Sequence, residues 1–323
     1  MSAGRARCSR RRNFSTMADL SVRIGSLVLK NPVLVASGTF GFGADYACLY
    51  DPACLGGIVS KAVTLEPRPG NPPPRLWETP CGLLNSIGLE NPGLEAFLRK
   101  ELPRMRELRT AVVVNVWGEG PEEYEELVRR LSVPGVDAIE LNLSCPNVAG
   151  AGLLGGSPAA TAQVVRRCRR ATELDLWVKL PPEGEVLAAA RAAQREGATA
   201  ISAANTFRAL AIDIRTGRPA FANTVGGLSG PAIKPLALRL VYELSRAVSL
   251  PVIGVGGIVR WEDALEFIMA GAHAIQVGTG NFIDPLCAPK VIRGLEEFLA
   301  ERRIGSWEEV RGCAHRGGIP GAA

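Results

Sequence analysis

Histidine is nearly missing from this chain: the 323 residues include two, His273 and His315. A Ser-His-Asp triad or a His-rich metal centre therefore has almost no raw material. Paired cysteines are missing too. The eight cysteines (Cys8, Cys48, Cys54, Cys81, Cys145, Cys168, Cys287 and Cys313) form no C-x-x-C motif. That speaks against a structural zinc or an iron–sulfur cluster held by this chain alone. With no apolar signal core ahead of them, they suit a reducing cytoplasm. No apolar run approaches the roughly 18 residues of a membrane span, and stretches such as Pro251 to Gly257 are only strand length.

Acidic residues are absent from residues 1–16, which carry Arg5, Arg7, Arg10, Arg11 and Arg12. Those five arginines account for the whole formal charge of +5, so Met17–Ala323 is neutral. The electrostatic footprint of a nucleic-acid binder is gone with them. Residues 1–16 read as an Arg-rich leader, either transit-like or lying ahead of a start at Met17. Residues 17–323 read as one domain, and the 47% hydrophobic content of the full chain is ample for a single large core.

Eight short β-branched runs recur: 32–37, 57–61, 111–116, 137–143, 176–180, 199–203, 251–255 and 274–277. Amphipathic segments of helical length lie between them, at 122–132, 157–172, 185–196, 233–248 and 261–270. Ser157-Pro158 and Gly230-Pro231 mark helix starts, and Gly197 and Gly271 mark stops. This alternation predicts an α/β fold, a (β/α)8 TIM barrel, with a doubly wound sheet as the competitor. The segment Thr64 to Pro92 stands apart. Its Pro67, Pro69, Pro72, Pro73, Pro74 and Pro80 argue against regular helix or central strand, and a loop of that length after strand two reads as a binding loop or a hairpin over the mouth.

Barrel chemistry gathers at the C-terminal ends of strands. In order, those ends carry Ser37, Lys61, Asn115, Asn142 followed by Ser144-Cys145-Pro146-Asn147, Lys179, Asn205-Thr206, Gly256-Gly257, and Gly278-Thr279-Gly280. Glycine turns after strands seven and eight, together with the Gly226–Gly230 cluster, predict a phosphate site, because glycine lets backbone N–H groups approach an anion. Two lysines suit an anionic ligand, and asparagines offer donor and acceptor edges to a planar heterocycle. Singly, each has a plainer reading as a solvated charge or a turn former. Cys145 sits in the loop after strand four. A thiol with pKa near 8.5 serves as a general base where a site favours its thiolate, and Lys61 or Lys179 would supply that bias.

These motifs resemble the class 1 dihydroorotate dehydrogenases, from about Val22 to Phe298. The strings that carry the resemblance are LEPRPGNPPPRLWETPCGLLNSIGLENPG from Leu65, LNLSCPN from Leu141, GGLSGPAIKP from Gly226 and GVGGI from Gly254. GGLSGPAIKP is most similar to the NAD-linked 1B subclass. The resemblance implies an FMN-dependent oxidoreductase of pyrimidine biosynthesis that oxidises dihydroorotate, with Cys145 as the base. It implies cofactor contacts at Ser37, Lys61, Ala62, Asn115, Asn142, Lys179, Ala204, Gly230, Gly256, Gly257, Gly278 and Thr279. Substrate contacts fall on Lys61, Asn85, Ser86, Ile87, Gly88, Leu89, Asn142, Asn147, Asn205 and Thr206. It further implies a separate subunit carrying FAD and a 2Fe-2S centre around a homodimeric core, making a heterotetramer that passes electrons to NAD in the cytoplasm. No metal site is expected on this chain. The pattern departs from the family's usual one at Trp117 and at Pro181-Pro182-Glu183. Competing readings are a dihydropyrimidine dehydrogenase-like flavoprotein, a fumarate-linked 1A enzyme, a Schiff-base aldolase using Lys179 or Lys61, and a barrel that only binds.

Overall fold

A computed structural model describes residues 19–144 and 154–319. Cys145, Asn147 and the leader at 1–16 fall outside the described residues. Eight parallel strands close into one barrel: β1 (Val33–Val35), β2 (Gly57–Val59), β3 (Ala111–Val116), β4 (Ala138–Asn142), β5 (Asp175–Lys179), β6 (Ala200–Ala203), β7 (Val252–Val255) and β8 (Ala274–Val277). Each pairs with the next in sequence, and β8 returns to β1. Helices cover the outside of such a sheet while side chains fill the inside, so nearly every strand residue is buried. That is why the strands appear as continuous apolar runs rather than alternating ones. Seven of the eight runs anticipated from the sequence contain one of these strands, and the run at 176–180 overlaps β5 with a shift of one residue.

The covering helices start and stop where local chemistry demands. Helix α1 (Pro121–Leu131) has proline in its first turn, Glu122 and Glu123 behind it, and Arg129 and Arg130 in the last turn, a distribution that complements the helix dipole. Helix α2 (Pro158–Ala171) is capped by the Ser157 side chain, which accepts from the Ala160 N–H. Helices α3 (Val186–Arg195), α4 (Lys234–Ala247) and α5 (Trp261–Met269) follow, and α6 (Cys287–Arg302) packs beside α5 and β1. Asp263 organises the first turn of α5, accepting from the Val259 and Arg260 N–H groups and pairing with Lys234 on α4.

The two ends of the barrel differ. At the N-terminal end, a hairpin (Val22–Ile24 with Leu27–Leu29) is tied to the first residue of β5, where the Asp175 carboxylate accepts from Ser26 N, Ser26 Oγ and Leu27 N. At the C-terminal end lies a four-stranded antiparallel sheet in the order 207–209, 226–229, 82–85, 76–79. This corrects the expectation that the 64–92 segment holds no central strand. The prolines flank Leu76–Thr79 and Gly82–Asn85, with Pro80 in the connecting turn, so neither strand loses a ladder donor. The Gly226–Gly230 cluster is likewise mostly strand rather than a phosphate turn: Phe221 and Thr206 lie where side chains at Gly226 and Gly227 would stand. Only its end, at Ser229 and Gly230, reaches the cavity below.

One partly buried titratable group sets an expected pH response. His273, at the foot of β8, accepts from the Val252 N–H through Nδ1. Burial, with Arg311 nearby, pushes its pKa down to about 4 from 6.5. The neutral ring is therefore favoured in the fold, and an unfolded chain takes up the proton first. Its contribution is complete above about pH 6.5 and is lost as pH falls toward 4, by an amount on the order of 3 kcal/mol. Chemical denaturation of the native protein and of His273→Gln across pH 7 to 4 checks this. The variant should show a distinctly flatter decline, and parallel curves would refute the assignment.

Candidate active site

Barrel closure brings the eight strand ends together beneath the antiparallel roof, leaving a cavity of about 310 Å³, within the range of small-molecule sites. Its walls divide by chemistry. Ser37, Lys61, Ala62, Asn142, Lys179, Ala204, Asn205 and Thr206 line it from the ends of β1, β2, β4, β5 and β6. Gly230, Gly256, Gly257, Gly278 and Thr279 form a side that is almost free of side chains. From the roof and its loop come Asn85, Ile87, Gly88 and Leu89.

Two anticipated residues lie elsewhere. Ser86 is buried within the loop, where Asn71 Nδ2 donates to it. Asn115 is fully buried behind Asn142 and is not on the cavity wall. The structure also adds residues that a list of strand ends does not contain. Leu76, Leu83 and Phe282 supply apolar surface at the mouth. Glu90 lines the cavity 4.0 Å from Lys61. Glu140 lies beneath the wall, two residues before Asn142 on the same face of β4, so the period-2 pattern of a strand was the available signal.

The polar wall is ordered by directional hydrogen bonds. Asn205 Nδ2 donates to Ser144 Oγ (2.9 Å), Ser144 Oγ donates to Asn142 Oδ1 (2.9 Å), and Asn142 Nδ2 donates to Asn115 Oδ1 (3.4 Å). Asn115 Nδ2 ends the series on Glu140 Oε1 at 2.8 Å. From the helix layer, the Tyr124 hydroxyl on α1 donates to the Asn142 carbonyl, fixing the end of β4.

Charge is distributed with similar economy. Burial holds the Lys61 ammonium below the ordinary lysine range, while Glu90 pulls the other way. Glu90 is itself gripped by Arg75 Nη1 at 2.5 Å, and Arg75 also donates to the Asn71 and Pro69 carbonyls. Asn91 clamps both ends of the proline-rich loop: Oδ1 accepts from Thr64 N and Gly93 N, and Nδ2 donates to the Leu89 carbonyl. Trp117, an atypical residue in the sequence, braces the same loop by lying 4.5 Å beneath the Arg68 guanidinium.

The glycine side is open for two reasons that differ between positions. At Gly257, with φ +74°, a Cβ would stand 2.7 Å from the Lys234 backbone, so glycine is required there for packing against α4. At Gly278 a Cβ would meet only Ala36 and Thr39, at 3.6 and 4.0 Å. Space is therefore kept for something other than protein. Among the described residues no cluster of His, Cys, Asp or Glu could hold a metal, and no helix is long and apolar enough to cross a membrane.

The family model for dihydroorotate dehydrogenase matches residues 19–299. The chain is 48% identical over 296 residues to the catalytic subunit of dihydroorotate dehydrogenase B (NAD(+)) of Thermoanaerobacter pseudethanolicus, covering 91% of this chain and 98% of that one. It is 50% identical over 301 residues to the subunit of the same name from Desulforudis audaxviator, covering 92% and 98%. A crystal structure of the Eimeria tenella enzyme DHODH in complex with ferulenol superposes with a TM-score of 0.76 at 22% identity, over 92% of this chain and 89% of that one, and so shares the fold. With a family match across the whole barrel and relatives this similar over nine-tenths of its length, this chain belongs to the dihydroorotate dehydrogenase family.

Proposed function

We propose that this chain oxidises (S)-dihydroorotate to orotate in pyrimidine biosynthesis, using FMN held in the barrel mouth and passing electrons to NAD through a partner subunit. The observation that carries the reading is the convergence of Lys61, Asn142, Lys179 and Asn205 on one cavity, opposite a side kept clear by glycine, in a chain of this family. Such a cavity fits a ligand with a phosphate at one end and a planar ring at the other.

In this reading Gly230, Gly256, Gly257, Gly278 and Thr279 take the phosphate, and Ser37, Ala62, Lys179, Ala204 and Asn142 surround the ring, with Asn115 supporting Asn142 from behind. FMN, when bound, supplies the hydride acceptor for C6 of the substrate. Lys61 balances the substrate carboxylate. Asn85 to Leu89, Asn205 and Thr206 close on the substrate from the roof side, and Asn147, on the family resemblance, completes the set. The Cys145 thiolate, assigned on the same resemblance, takes the C5 proton. The activity belongs to residues 17–323 as one unit, in the cytoplasm, with residues 1–16 outside it. FAD and the 2Fe-2S centre belong to the partner, and the assembly is a heterotetramer around a homodimer of this chain.

Gly278→Val tests the cofactor placement more cleanly than a change at Gly257, since position 278 accepts a Cβ without collision. The variant should keep its melting temperature and lose at least tenfold in FMN affinity, read by quenching of flavin fluorescence; full FMN retention would sink the placement.

Cys145→Ala should retain FMN yet reduce it with dihydroorotate about 10² to 10⁴ times more slowly in stopped flow, the usual worth of a positioned base. Near-normal reduction would remove Cys145 from the mechanism.

The isolated chain should oxidise dihydroorotate with an artificial dye but not with NAD, because among the described residues the glycine turns suited to a phosphate are already assigned to FMN. Brisk turnover with fumarate would reassign it to the 1A subclass, and brisk turnover with NAD alone would overturn the need for a partner.

A further inference from the structure

Glu140 is the most deeply buried acid associated with the site, with 0% side-chain exposure, and nothing in the reading above uses it. An isolated carboxylate in that position would be costly, so its partners indicate what it is for. The two oxygens face different ways. Oε2 is anchored within the barrel by Ser202 Oγ at 2.7 Å and Gln276 Nε2 at 2.9 Å. Oε1 serves the cavity wall: it accepts from Asn115 Nδ2 at 2.8 Å and stands 3.9 Å from the Lys179 ammonium, which is itself 6% exposed.

A carboxylate can only accept hydrogen bonds. Asn115 must therefore turn its amide nitrogen toward Glu140 and its oxygen toward Asn142. Asn142 must then donate to Asn115 and present its own oxygen to Ser144, and Ser144 in turn accepts from Asn205. One buried charge thus sets the donor and acceptor sense of a line of polar groups that ends at two cavity-lining amides. The same charge holds the ammonium of a third lining residue.

We propose that Glu140 is a positioning residue for the cofactor: its buried carboxylate orients Lys179 and the Asn115–Asn142 amide pair toward the ring. The inference rests on the FMN reading of the cavity. Replacing the carboxylate by an amide removes the charge and puts an N–H where three donors already converge, so the amide line loses its fixed sense. A negative charge beneath the ring also disfavours added electrons, so its removal makes the bound flavin easier to reduce.

The test is a double-mutant cycle on the full chain with Glu140→Gln, Lys179→Gln and both together. FMN affinity is read by fluorescence quenching, and the midpoint potential of bound FMN by dye equilibration. Glu140→Gln should weaken FMN roughly tenfold, the scale of a lost charge-assisted hydrogen bond, and move the potential to a more positive value. In the Lys179→Gln background the effect on affinity should shrink to about threefold or less, because the Lys179 share of the effect is already gone. Unchanged affinity and potential in Glu140→Gln, or effects that simply add in the double variant, would overturn the proposal; a purely structural role would lower the melting temperature without moving the potential. If Glu140→Gln does not fold, Ser202→Ala, which keeps the carboxylate and removes one anchor, carries the same cycle through FMN affinity alone, because the charge itself remains: weaker binding that shrinks in the Lys179→Gln background supports the proposal, and unchanged or simply additive affinity overturns it. Wild-type protein that fails to quench FMN would overturn the FMN reading itself, whereas wild-type quenching with an indifferent variant overturns this inference alone.

Discussion

Closure of the parallel barrel is the constraint on which everything else depends. Because each strand pairs with its sequence neighbour and β8 returns to β1, all eight strands must end at the same rim. A polar residue placed at the end of any strand is delivered to one mouth, whatever its distance along the chain. The apolar bodies of the strands make this affordable: the buried layers of Val, Ile, Leu and Ala between sheet and helices supply the hydrophobic stabilisation, so the rim is free to hold groups chosen for chemistry.

The rim nevertheless has its own internal order. Lysines in a poorly solvated cavity repel one another and resist burial, and the chain meets this with one acid on the wall and one set back behind it. Glu90 stands between Lys61 and Arg75 on the roof side, and Glu140 lies under Lys179 on the barrel side. Both acids leave the cavity faces of the lysines available. The two differ in surroundings, since Glu90 is half exposed and shared between two cations whereas Glu140 is sealed in by neutral donors. The first arrangement tolerates movement of the loop that carries it, and the second does not tolerate movement of the barrel.

Much of this was legible from local pattern. Runs such as AVVVNV at Ala111–Val116 and VIGV at Val252–Val255 have the β-branched content of buried parallel strands, and the helix starts at Ser157-Pro158 and Gly230-Pro231 coincide with observed turns into helix. Lys61, Asn142, Lys179 and Thr279 reach the cavity because strand ends are a topological property, which local pattern can locate. The roof was not legible, because pairing of Gly82–Asn85 with Gly226–Ser229 joins segments about 140 residues apart, and no local signal encodes which loop meets which. Depth was equally hidden. Asn115 and Asn142 look alike as strand-end amides, and only the stagger of the barrel puts one on the wall and the other behind it.

The roof is made of strands contributed by the loops after β2 and β6, and it is joined to itself by edge-to-edge backbone bonds while the barrel beneath is closed on its own. The two layers are therefore separable units of cooperativity, with a ligand-sized gap between them. Opening the roof would break the bonds between 82–85 and 226–229 and leave the barrel ladder intact, the kind of sub-global unit whose opening is set apart from global unfolding. The reverse also holds: a molecule seated in the gap touches both layers and binds only when they are together, so its free energy of binding is added to the stability of the roof. Occupancy and order of the roof are in this sense one equilibrium, and amide exchange in the roof strands becomes a direct gauge of how full the barrel is.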